Sequence, residues 1–234
     1  MKKKRIIIIL SIIIVAFLSI FLLLPKNTNK QKKKEPKTEE KTIIKKYDID
    51  KIQTDYNNED IIAYISIPNV LETPIAKGID NDYYLNHDLY KNDDYRGTVE
   101  MDFRNTTNDK KILIYGHSGE EQELPFLQLN KYIEEQFYRD NPYIYLYTKE
   151  DERKYKIISS YIETEDFDYV NLISFNGLTY KEHVEKLKNK SLFPTDATIT
   201  EESNILILQT CSMNNRGNGH YHLIIGLLEE RNTY

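Results

Sequence analysis

Short apolar runs separated by polar interruptions recur along most of the chain. They are rich in isoleucine, tyrosine and valine, and some alternate, as in the YIYLY run at 143–147. Runs of this length and composition are typical of β-strands. Eight of them with turn residues between favour a closed barrel or a sandwich. The predicted strands are Ile61–Ile67, Thr73–Ala76, Gly97–Phe103, Lys111–Tyr115, Tyr143–Tyr147, Lys154–Ile162, Ile205–Thr210 and Tyr221–Leu228.

Two stretches depart from this pattern and have helical spacing. In Leu124–Arg139 the apolar residues recur at three- and four-residue intervals. In Thr179–Lys190 they form one stripe, with lysine and glutamate elsewhere. Apolar stripes of this kind predict amphipathic helices, so the mainly β domain contains short helices.

The N-terminus has the pattern of a membrane anchor. Met1–Arg5 carries a cluster of positive charge, and the 19 residues of Ile6–Leu24 are apolar apart from two serines. At about 1.5 Å per residue they span roughly 28 Å, close to a bilayer core. No small-residue cleavage site follows, so we expect an uncleaved helix. The positive-inside rule places residues 1–5 in the cytoplasm and the rest of the chain outside a single-pass anchor in the cell membrane.

Composition changes after the predicted anchor. Residues 25–56 are interpreted as a solvated stalk and lead-in, and residues 57–234 as one domain of ordinary size. The chain has 32 basic and 37 acidic residues, of which 13 basic and 3 acidic residues precede Tyr47. Residues 47–234 therefore carry a net charge of −15. Such an acidic domain lacks the basic footprint of a nucleic-acid-binding protein and suits a cationic partner such as an amine.

Cys211 is the only cysteine, so an intramolecular disulfide is excluded. It ends an apolar run at the start of a polar, glycine-containing loop, where a thiol is held in place yet remains reachable. The alternative is that Cys211 is a small buried apolar residue, as free cysteines commonly are.

His117 has a matching position, one glycine after the predicted strand Lys111–Tyr115. A cysteine and a histidine are the minimum for thiolate chemistry, because the imidazole exchanges the proton of the nucleophile. The two meet only if their strands are neighbours, which spacing does not reveal. His87 and His183 lie in polar segments and are predicted to be solvated.

At these residues the chain resembles the sortases. The run LIYGHS at 113–118 and the run LQTC at 208–211 are similar to the histidine and cysteine motifs of that family, and the predicted anchor also fits. Two further stretches resemble class B sortases in particular, the run GTVEMDFRN at 97–105 and the long insert from Glu163 to near Leu192.

The resemblance implies an eight-stranded β-barrel with a helical insert before the cysteine strand. It implies a cysteine transpeptidase that cuts a C-terminal sorting signal after threonine, through a thioester, and passes the secreted protein to an amine of peptidoglycan or its lipid-linked precursor. Cys211 would be the nucleophile and His117 the acid and base, without a cofactor or metal. The residues expected to contact the substrate are Tyr169, Thr210, Tyr221 and His222.

One family feature is missing from its usual place. The family arginine that binds substrate and stabilises the oxyanion opens the last strand, where this chain has Tyr221. We predict that Arg216, in the loop after Cys211, takes that role, with His220, Tyr221 and His222 as alternatives. Gln209 also stands where the family often has a small hydroxyl residue.

Two other functions remain open at this point. Cys211, His117, His220 and His222 would be chemically apt zinc ligands. A membrane-anchored binding module on a sortase fold without activity is also compatible with the missing arginine.

Overall fold

A closed eight-stranded barrel forms the centre of the computed structural model, which describes residues 45–119, 124–213 and 220–234. Around the barrel the order is β1-β2-β3-β4-β7-β8-β6-β5. The β2–β3 and β4–β7 pairs are parallel and the other neighbouring pairs are antiparallel. The strands are β1 (Ile61–Ile67), β2 (Leu71–Ala76), β3 (Glu100–Met101), β4 (Lys111–Tyr115), β5 (Tyr143–Tyr147), β6 (Asp151–Glu163), β7 (Ile205–Cys211) and β8 (Tyr221–Thr233).

Each of the eight predicted strands is present, and the barrel alternative is the observed one. The prediction was too long only for Gly97–Phe103, of which Glu100 and Met101 alone form β3. Gly97 has a φ of 62°, and a Cβ there would lie 2.6 Å from the Leu85 carbonyl oxygen. The chain therefore turns at Gly97 against residues 84–85 instead of continuing a strand.

Alternation along the strands produces two apolar cores. Side chains of all eight strands fill the barrel interior, among them Ile112, Ile114, Leu206 and Leu208. Intervening apolar residues of β4, β6, β7 and β8 point outward and are covered by the insert between β6 and β7. A pattern of two buried faces explains why β4 and β7 are almost continuously apolar.

The helices are short. They are α1 (Ile49–Tyr56), α2 (Glu135–Asp140), α3 (Tyr180–Asn189) and 3-10 turns at Tyr83–Leu85, Leu127–Ile133 and Asp168–Val170. Thr179–Lys190 is confirmed as helical, with a Thr179–Glu182 capping box at the start of α3. The stretch 124–139 is a 3-10 turn followed by α2, because Glu134 between them has an extended backbone.

Helix α1 was not predicted, since residues 47–56 were placed in the lead-in. Asp48 accepts from the backbone N–H groups of Asp50 and Lys51, and Asn57 ends the helix with a left-handed backbone. Ile49 is buried against the domain. The capping signals were present, but a single buried residue gives no apolar stripe to recognise.

Within the described ranges, no helix has both the length and the apolar character needed to cross a bilayer. The predicted cytoplasmic residues 1–5, the predicted anchor at 6–24 and residues 25–44 of the predicted stalk and lead-in lie outside the described residues.

Candidate active site

The parallel pairing of β4 with β7 brings the two candidate reactive residues to one end of the barrel. Its register ends at Tyr115 opposite Gln209, and the Gly116 N–H donates to the Gln209 carbonyl at 3.2 Å. His117 and Cys211 each follow the last pair of the β4–β7 register by two positions. Because side chains alternate along β7, whose Leu206 and Leu208 point inward, Cys211 belongs to the outer face of the barrel.

Cys211 is a free, exposed thiol at the last position of β7. The alternative of a small buried apolar cysteine is therefore wrong. Partial desolvation by its surroundings nevertheless raises the pKa of the Cys211 thiol above its ordinary value. The thiol is thus protonated at neutral pH, and nucleophilic attack requires a base to remove its proton.

Among the described residues, His117 makes one side-chain hydrogen bond. Its Nε2–H donates to the Leu85 carbonyl oxygen at 2.9 Å. In the neutral ring this bond fixes the tautomer with hydrogen on Nε2 and leaves Nδ1 as the nitrogen that carries a lone pair. Gly116 is required just before it, because a Cβ at that position would lie 2.6 Å from the Phe126 ring.

Side chains continue the β4–β7 connection where the backbone ladder stops. The Thr210 hydroxyl donates to the Gly116 carbonyl at 2.7 Å, and the Ser118 hydroxyl donates to the Cys211 carbonyl at 2.6 Å. Thr210 is only 1% exposed and faces the barrel interior. Its side chain therefore joins the two strands and is not accessible to a substrate, in contrast to the expectation from sequence.

The other residues expected to contact the substrate have different environments. Tyr221 lies directly opposite Cys211 in the β7–β8 register and is partly exposed on the same outer face. Tyr169 is 2% exposed and donates to the Gln209 amide oxygen at 2.8 Å. Arg216, the predicted oxyanion donor, lies outside the described residues.

The expectation that His222 contacts the substrate is also wrong. It is completely buried, pairs with Thr210 across β7–β8 and so points into the barrel. Its Nε2 is 2.8 Å from the Ser160 hydroxyl, and burial lowers the pKa of His222 to about 4. A neutral, enclosed imidazole can neither contact a substrate nor donate to an oxyanion at Cys211.

The same geometry argues against the predicted alternative of a zinc site. Cys211 and His222 are on opposite faces of the sheet, so they cannot share one metal ion. In the part of the chain that the structure describes, no group of three or more histidine, cysteine or acidic residues is arranged to hold a metal.

His183 was predicted to be solvated, and this is wrong. It is 1% exposed on α3, stacks on Phe175 and has its Nε2 2.8 Å from Lys111 Nζ. Burial lowers the pKa of Lys111 to about 7 and that of His183 to about 4. Lys111 begins β4, so this pair lies at the opposite end of the strand from His117.

A buried carboxylate, Asp102, links the insert to the histidine strand and lies within the run at 97–105 that resembles class B sortases. Asp102 accepts from the Arg104 guanidinium at 2.7 and 2.8 Å and from the Tyr115 hydroxyl. Although burial opposes it, the contacts with Arg104 and Tyr115 lower the pKa of Asp102 to about 2. Arg104 also donates to the Val170 carbonyl, so the network joins β4 to the insert.

The barrel order and the placement of Cys211 and His117 define the class of protein that the chain resembles. Over about three quarters of the chain, the fold matches crystal structures of sortases. Sortase B of Clostridium perfringens has a TM-score of 0.68 at 25% identity, covering 77% of this chain and 100% of that one. A Bacillus anthracis protein described as similar to sortase B has a TM-score of 0.66 at 27% identity, covering 76% and 81%.

Curated relatives point to the particular subclass. Sortase B of Listeria monocytogenes is 29% identical over 158 residues, and sortase B of Staphylococcus aureus is 27% identical over 157. Each match covers 66% of this chain but only 63% and 64% of the respective relative. No protein-family model matches the chain. The predicted resemblance to class B sortases is thus confirmed in both sequence and fold.

Proposed function

We propose that the chain is a cysteine transpeptidase that cuts a C-terminal sorting signal after threonine and transfers the secreted protein to an amine of peptidoglycan or its lipid-linked precursor. The observation that carries this proposal is the adjacency of Gly116–His117 and Thr210–Cys211 at the ends of paired parallel strands. The similarity to sortase B proteins supports it. A solved structure of the S. aureus relative is described as a sortase B–substrate complex.

The proposed reaction has two halves. Cys211 passes its proton to His117 and attacks the threonine carbonyl carbon, which forms a C–S bond and an oxyanion. The C–N bond then breaks as His117 protonates the leaving amine, and a thioester remains. In the second half His117 accepts a proton from the incoming amine as it attacks the thioester, and the released thiolate regains a proton. The net charge of −15 on residues 47–234 favours approach of a cationic acceptor.

The oxyanion needs a fixed donor during both attacks. We assign this role to Arg216, which five residues of chain keep within roughly 17 Å of Cys211. Tyr221 is the alternative that the β7–β8 register favours, because it lies opposite Cys211 on the same face.

Mass spectrometry of the full chain in detergent tests the proposal. Incubation with a library of threonine-containing sorting peptides should yield an acyl adduct on Cys211, since this is the only thiol. A methanethiosulfonate reagent should prevent the adduct, and Cys211→Ala should neither form it nor cleave peptide. Cleavage by Cys211→Ala would exclude the transpeptidase mechanism, and an intact library with the wild type would favour a binding module.

The proposal includes a location at the outer face of the cell membrane, anchored by residues 6–24. Protease added to intact protoplasts should then release the domain by cutting within residues 26–46. Protection of the domain until lysis would contradict this orientation.

A further inference from the structure

The last residue of β7 pairs with Tyr221 of β8 on one side, but on the side of β4 it is held by side chains. The β4–β7 backbone ladder ends before His117 and Cys211, so its hydrogen bonds do not orient them. The Cys211 carbonyl instead accepts from two side chains, Ser118 Oγ at 2.6 Å and Asn130 Nδ2 at 3.3 Å. Ser118 directly follows His117, which makes this carbonyl a point where the two reactive residues are joined.

Asn130 is the central member of this arrangement. It is 8% exposed and lies in the 3-10 turn Leu127–Ile133. Its Nδ2 also donates to Ser118 Oγ at 3.0 Å, and its Oδ1 accepts from the Met213 N–H at 2.9 Å. One buried amide therefore contacts the residue after His117, Cys211 itself and the residue two beyond Cys211.

We propose that Asn130 is a positioning residue for the nucleophile, with Ser118 as its partner. This inference rests on the proposed transpeptidase function. Asn130 restrains the backbone on both sides of Ser212, which sets the direction of the Cys211 Cα–Cβ bond relative to His117. A reacting group displaced by about 1 Å can cost about 100-fold in rate.

A purely structural asparagine would behave differently. Loss of a buried hydrogen bond lowers stability wherever it occurs, but only a positioning residue changes the reactivity of Cys211 itself. Asn141 provides the matched control, because its Nδ2 donates to the Phe137 carbonyl at 3.0 Å at the end of α2. Among the described residues, its side chain makes no hydrogen bond to Cys211, Ser118 or Met213.

The experiment uses the full chain in detergent with Asn130→Ala, Asn130→Asp, Ser118→Ala and Asn141→Ala. The Asn130→Asp change keeps the size of the side chain and the acceptor for Met213 but removes the donor to Cys211. The measurements are the acylation rate and KM with a sorting peptide, the pH profile of Cys211 alkylation by iodoacetamide, and the Tm. His117→Ala gives the reference profile for a thiol without its imidazole.

We expect both Asn130 variants to acylate about 100-fold more slowly with little change in KM. Their alkylation profiles should move toward that of His117→Ala, whereas Asn141→Ala should lower only the Tm. Wild-type rates and profiles in Asn130→Asp would overturn the inference, as would equal changes in Asn141→Ala. If the wild type forms no acyl adduct, the transpeptidase proposal fails, and the alkylation profiles still decide the role of Asn130.

Discussion

The two ends of β4 each place a histidine beside another group that can carry a proton, with opposite consequences. At the start of the strand, Lys111 and His183 are 3% and 1% exposed. Beyond its other end, Cys211 is exposed and His117 is half-buried. Both ends hold titratable groups, but only the pair beyond the far end of β4 has an exposed member.

Desolvation lowers the pKa values of the buried pair at the start of β4. With pKa values of about 7 and about 4, Lys111 and His183 share at most one proton near neutral pH. Lys111 also donates to the Asn171 carbonyl at 2.7 Å, so the pair fastens the insert to the start of β4. A perturbed pKa here marks structure, whereas the candidate site is recognised by access and geometry.

Replacing His117 or His183 with alanine should give the largest difference between the two ends of β4. His117→Ala should lower the acylation rate by about 100- to 10,000-fold, because proton transfer to and from Cys211 is lost. Its Tm should stay within about 4 °C of the wild type, since a residue at a strand exit contributes little to the core. Adduct kinetics and calorimetry measure the two quantities.

His183→Ala is the control and should show the reverse, a clear loss of Tm with an acylation rate near that of the wild type. The comparison would break down if His117→Ala lost most of its stability while it retained activity.

The oxyanion donor should produce the next largest effect. Arg216→Ala is expected to slow acylation by about 100- to 1000-fold. Tyr221→Phe and His220→Ala, measured from pH 5.5 to 9, test the alternatives that the structure leaves. A near wild-type rate in Arg216→Ala together with a collapse in Tyr221→Phe would move the role to β8.

Lys111→Met should have a smaller effect, on stability and its pH dependence. Burial holds the pKa of Lys111 at about 7, below its unfolded value. The stability that Lys111 contributes is therefore present above its unfolded pKa and is lost as the pH falls toward 7. As the pH falls from 10 to 7, the free energy of unfolding of Lys111→Met should increase by about 2 to 4 kcal/mol relative to that of the wild type.

Denaturant titrations at several pH values measure this difference, with Lys154→Met as the control because its amine pairs with Glu230 at the surface. A difference that did not vary with pH would mean that Lys111 remains charged in the folded protein.

Much of the fold was predictable because local pattern carries it. Short β-branched and aromatic runs identified the eight strands, and an apolar stripe identified α3. Cys211 and His117 were recognisable because each stands where an apolar run meets polar or glycine-containing sequence. Helix α1 was missed because its one buried residue, Ile49, leaves no periodic signal.

Side-chain direction and strand pairing were decided only by the tertiary structure. A shift of one residue exchanges the inner and outer faces of a strand, so pattern alone did not separate the partly exposed Tyr221 from the buried His222. The insert folds over the outer face of β4, which buries His183 in a helix that looks solvated by composition. Sequence thus determined which segments are strands and which residues can react. The parallel pairing of β4 with β7, which are far apart in sequence, decided that His117 and Cys211 share one end of the barrel.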